Sequence, residues 1–133
     1  MTRRFTSMLL VLVLAIAACG GDDSSEEPLQ FGEGEIPSTF PDDFPLPAGT
    51  VIGTTLIDRT NHKSEASLRI PADLETTVRY FNLALVEQGY VVESSSGSAA
   101  EWNIRFSRGE LDGFINISGS TGLALAVVTL NVS

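Results

Sequence analysis

Residues 71–89 read PADLETTVRYFNLALVEQG, and this stretch decides the fold. Pro71 ends any extended segment before it, because its ring fixes φ and removes an N–H donor. Asp73 stands where a helix N-cap is favoured. Leu74, Val78, Phe81 and Leu85 then recur at helical spacing and form one apolar stripe. Gly89 supplies a left-handed stop. The segments on either side alternate with a period of two, so one helix is set between strands.

Upstream, TVIGTTLID is rich in β-branched residues and reads as a strand. RTNHK is a polar loop. SEASLRI alternates, with Ala66, Leu68 and Ile70 facing in and Glu65, Ser67 and Arg69 facing out. Downstream, YVVES is a strand that runs into the turn-rich SSGSAA. EWNIRFS sends Trp102, Ile104 and Phe106 inward, and Arg108-Gly109 suits a tight hairpin. LDGFINIS sends Leu111, Ile115 and Ile117 inward. GSTG turns into LALAVVTLNVS, where Val128, Leu130 and Val132 face in. Its first half is apolar on both faces, as in a central strand.

The order ββαββββ with consecutive hairpins predicts an α+β fold. It is an antiparallel sheet of about six strands with one helix packed on one face. The other face is then open. It would carry Phe114 among Asn103, Arg105 and Asn116, an aromatic and polar mixture of the kind found at protein interfaces. These residues form a candidate protein-binding face. A cover of the same face by the upstream segment around Phe40 and Phe44, or simple cross-strand pairing of Phe114, is the plainer account of them.

That upstream segment is residues 37–47, where Phe40, Phe44 and Leu46 alternate with prolines. It reads as an extended strap lying along the domain of residues 48–133. Residues 19–36 are acidic, carry no base and hold four glycines and a proline. They read as a disordered stalk, since such a composition buries too little apolar surface to order itself.

The amino terminus has Arg3 and Arg4, then the apolar run Met8–Ala18, then Cys19, the single cysteine of the chain. This order of charge, apolar core and small residues is that of an export signal. The run is shorter than the roughly 20 residues a bilayer-spanning helix needs. Ile16-Ala17-Ala18-Cys19 resembles the lipobox of bacterial lipoproteins, with Ile16 where that motif has Leu. The resemblance implies a signal peptide over residues 1–18, cleavage between Ala18 and Cys19, and diacylglycerol on the Cys19 thiol. Two acyl chains would make a stable membrane attachment where one would be marginal. The domain would then lie outside the cytoplasm, held to the cell membrane or outer membrane. A second resemblance covers residues 40–133. FPLPAGTVI, the helix ending before Gly89 and an aromatic, and the Trp-bearing strand are similar to small uncharacterised lipoproteins of actinobacteria. That similarity implies a fold and no mechanism.

Seventeen acids against eight bases give a net charge of −9. An acidic chain is a poor match for nucleic acid. His62 is the single histidine and stands in a loop between Asn61 and Lys63. A catalytic triad or a metal site needs more than this. The acidic run GDDSSEE lacks the spacing of a calcium loop. No catalytic residue, metal ligand or cofactor is expected. The sequence therefore reads as a non-catalytic lipid-anchored binding module, with an assembly component of an envelope complex as the alternative and a small hydrolase last.

Overall fold

The computed structural model describes residues 27–133. The expected signal segment, Ala18, Cys19 and the first part of the expected stalk lie outside these residues. The strands are β1 (Leu29–Glu33), β2 (Val51–Asp58), β3 (Lys63–Ile70), β4 (Val91–Gly97), β5 (Glu101–Arg108), β6 (Leu111–Ser120) and β7 (Leu123–Val132). One helix, α1 (Leu74–Glu87), joins β3 to β4.

All seven strands form one antiparallel sheet in the order β1-β2-β3-β7-β6-β5-β4. The last strand thus lies between the two halves, pairing with β3 on one side and β6 on the other. β4 lies at the far edge, so α1 must travel across the sheet to reach it. On the way it packs on β7, β6, β5 and β4.

The helix buries Leu74, Phe81 and Leu85 as the stripe requires, with Val78 half-buried. Thr77 is buried too. Its hydroxyl donates to the Asp73 carbonyl at 2.9 Å, which satisfies a polar group inside the contact. Asp73 occupies the N-cap position, but its side chain caps nothing. Its carboxylate instead accepts the Gly122 N–H at 2.6 Å and ties the helix start to the β6–β7 turn. At the other end Gly89 has φ +86°. The Tyr90 N–H reaches the Leu85 carbonyl and the Gly89 N–H the Val86 carbonyl, which closes a Schellman motif.

Every buried side chain of the sheet points to the helix side. Ile104, Ile115, Ile117, Val128 and Phe81 are fully buried there. Gly113 belongs to this packing. A Cβ at that position would lie 2.1 Å from Cζ of Phe106, its cross-strand partner.

Four expectations are corrected. The sheet has seven strands, not about six. The additional one is β1, inside the stretch that reads as a disordered stalk. All five of its residues are exposed, so no burial pattern announces it. Backbone pairing with β2 holds it, and Arg59 bonds to Gln30 and to the Glu27 carbonyl.

The strap does not run extended. The Pro37 and Pro41 carbonyls accept the Phe40 and Phe44 N–H groups, giving two successive tight turns. Both phenylalanines are thereby buried in the core on the helix side.

β4 continues to Gly97 through serines that read as a turn. The Trp102 indole N–H donates to the Ser95 hydroxyl at 2.8 Å, and the missing side chain at Gly97 lets the Trp102 backbone approach.

Val132, expected inward, is half exposed. It pairs with Leu111 at the end of the sheet.

Candidate functional site

With helix and strap on one side, the other face of the sheet is uncovered among the described residues. Asn103, Arg105, Phe114 and Asn116 all lie on it. Asn103 pairs with Asn116 and Arg105 with Phe114 across β5 and β6. The Asn116 amide donates to Asn103 Oδ1 at 2.8 Å and to Glu101 Oε1 at 2.7 Å. The Arg105 guanidinium lies 5.8 Å from the Phe114 ring centroid, a cation–π contact. The strap does not cover this face.

The face extends over the central strands. Thr129 and Val127 of β7 stand beside Phe114 and Asn116, and Glu65 and Ser67 of β3 stand beside those. Leu125 is 47% exposed. Farther out, Phe31 of β1 pairs with Leu56 and is 76% exposed. Apolar, polar and charged side chains are thus mixed across an open surface. Strand alternation makes each residue's direction legible in the sequence. The neighbours across the strands are not, because β7 enters from the far end of the chain.

A second concavity lies on the helix side. A groove of about 930 Å³ runs between α1 and the β4–β5 hairpin, lined by Val78, Leu83 and Trp102 among others. The buried Asn82 Oδ1 on its wall has no hydrogen-bond partner.

Sequence reasoning missed the fastening of the strap. Arg108 of β5 grips Asp43 through both terminal nitrogens and lies 4.2 Å above the Tyr90 ring. The hydrogen bond from Arg108 holds the Asp43 carboxyl below its usual range, and the same bond raises the Arg108 pKa. Burial raises the Tyr90 phenol, whose hydroxyl has no partner. No local signal connects two residues so far apart in the chain.

His62 sits exposed in the β2–β3 turn at φ 52°. Beside it, hydrogen bonds from Asn61 hold the Asp58 carboxyl low. No group of three or more His, Cys, Asp or Glu that could hold a metal ion occurs among the described residues. No described helix is long and apolar enough to cross a membrane. Comparison with family models, with curated proteins and with solved structures found no match to the chain.

Proposed function

We propose that this protein is a lipid-anchored extracytoplasmic binding module whose contacts are made through the open face of the sheet. The observation that carries the reading is the grouping of Asn103, Arg105, Phe114 and Asn116 on a surface that no described element covers. An aromatic with a guanidinium above it, ringed by amides, fits protein recognition better than reaction chemistry. The anchor rests on Met8–Ala18 and on the Ile16-Ala17-Ala18-Cys19 motif. Nothing in the reading calls for a cofactor, a metal or nucleic acid.

Two measurements test it. Wild-type protein should take up labelled fatty acid, and Cys19→Ser should not; absence of label on the wild type ends the anchor. A photo-crosslinking amino acid replacing Phe114 should capture a protein in intact cells. Capture of nothing ends the binding face. Capture of a stoichiometric envelope complex assigns the protein to assembly of that complex.

A further inference from the structure

The open face carries a charge pattern that its own rotated image complements. Register places Glu65, Thr129, Phe114 and Arg105 in one row across β3, β7, β6 and β5. Four residues along the strands, Arg69, Leu125, Ser118 and Glu101 form another row. Period-two alternation puts both rows on the same face. Acid and base thus stand at opposite ends of each row, and their order reverses between the rows. Between the charges lie Phe114, Val127 and Leu125.

Consider a second copy turned by 180° about an axis parallel to the strands, between β7 and β6, and laid face to face. Its β5 lies over β3 of the first. Glu65 then meets the second copy's Arg105, and Arg69 meets the second copy's Glu101. Symmetry makes each pair twice. Facing sheets pack about 10 Å apart, a gap that an arginine and a glutamate bridge together. Phe114, Val127 and Leu125 fall among Ser67, Asn103 and Asn116 within the square of charges, so the charged pairs surround a centre that mixes apolar and amide groups. Six overlapping strands spaced about 4.8 Å apart, each about 8 residues long, cover roughly 750 Å², close to the about 800 Å² per partner of a stable interface.

A two-fold axis at right angles to the strands would also match the charges, setting Glu65 over Arg69. The amino terminus separates the two arrangements. The chain enters β1 at Leu29, at the Asp58 end of the sheet. The axis parallel to the strands brings both copies of Leu29 to one end, where two lipid anchors reach one membrane. The other axis sends them to opposite ends.

We infer that the protein self-associates as a face-to-face two-fold dimer through the open face of the sheet, with Glu65–Arg105 and Arg69–Glu101 pairs across it. This rests on the reading of that face as a binding surface and of Cys19 as the anchor.

Two full-length copies with different tags, coexpressed and extracted in non-ionic detergent, test it. Wild-type copies should co-purify. Arg105→Glu in both copies sets acid against acid twice and should reduce co-purification about tenfold or more. Glu65→Arg in both copies should do the same. One copy with Arg105→Glu and the other with Glu65→Arg should restore it, since every contact regains an acid and a base. Failure of the wild-type copies to co-purify, or of the mixed pair to recover, overturns the dimer. The crosslinker at Phe114 keeps the two readings apart. Capture of a second copy supports the dimer. Capture of a different protein alone overturns the dimer and leaves the binding face standing, whereas capture of nothing overturns both.

Discussion

Arg108 donates to both carboxylate oxygens of Asp43, at 2.9 and 3.0 Å, across 65 positions of sequence. The same guanidinium donates to the Gln88 carbonyl at the end of the helix and covers the Tyr90 ring. One side chain therefore joins the strap, the helix terminus and β5. Below it Phe44, Tyr90 and Phe106 form an aromatic cluster with centroids 5.3 to 6.3 Å apart. The polar clamp sits on the rim, and the apolar cluster beneath it supplies most of the adhesion.

Arg108→Ala should therefore loosen the strap without unfolding the sheet. Limited proteolysis should cut near residues 41–47 faster in the variant. Its urea midpoint should fall by less than that of Phe44→Ala. Arg108→Lys should recover only part of the loss, because an ammonium cannot match a carboxylate at two points. Equal protease resistance of Arg108→Ala and wild type would show that the clamp does not hold the strap.

The clamp also has a pH window. Asp43 has a folded pKa below its usual 3.8, so its unfolded form binds the proton first as pH falls. Its contribution is complete above the unfolded value and disappears as pH drops through the lowered folded value. Protease sensitivity of the strap should rise below about pH 4 in the wild type. In Asp43→Asn it should already be present at neutral pH. A strap equally protected at pH 2 and pH 7 contradicts the link.

Phe81 is fully buried at the centre of the helix contact, and Phe81→Ala should cost about 3–5 kcal/mol. Arg79 is exposed, with only an exposed ion pair to Glu75 at 3.0 Å. Arg79→Ala should stay within about 0.5 kcal/mol of wild type. Urea melts compare the two. A larger loss for Arg79→Ala would place the apolar stripe on the wrong side of the helix.

Gly113→Ala should destabilise by about 1–3 kcal/mol, the usual cost of overfilling a packed core. The new methyl would meet the Phe106 ring. Phe106→Leu in the same chain should return part of that loss, because neighbours that share space are not additive. Strict additivity in thermal melts of the double variant would show that the ring and the methyl do not compete.

β1 should be the first strand to open. All its side chains are exposed and it pairs on one edge only. Amide exchange should be fast at Gln30–Gly32 and slow in β6 and β7, which pair on both sides. Protection of β1 equal to that of β7 would mean that burial does not govern the order of opening.

Much of this architecture follows from local pattern. The period of the apolar residues separates the helix from its strands, and alternation assigns Asn103, Arg105, Phe114 and Asn116 to the face away from it. Both are properties of neighbours in the chain, where a side chain's direction is set by its own backbone. Gly89 ends the helix for an equally local reason, its positive φ. By itself, then, the sequence determined which residues point to the core and where the helix starts and stops. Only the tertiary structure decided that β7 lies between β3 and β6, that exposed β1 pairs with β2, and that the strap turns back onto Phe106. The physical reason is that backbone hydrogen bonds between strands carry no residue identity. Which edges meet is settled by the shared core and by the path of the helix across it, and so is the placing of Glu65 and Arg105 at opposite ends of one row.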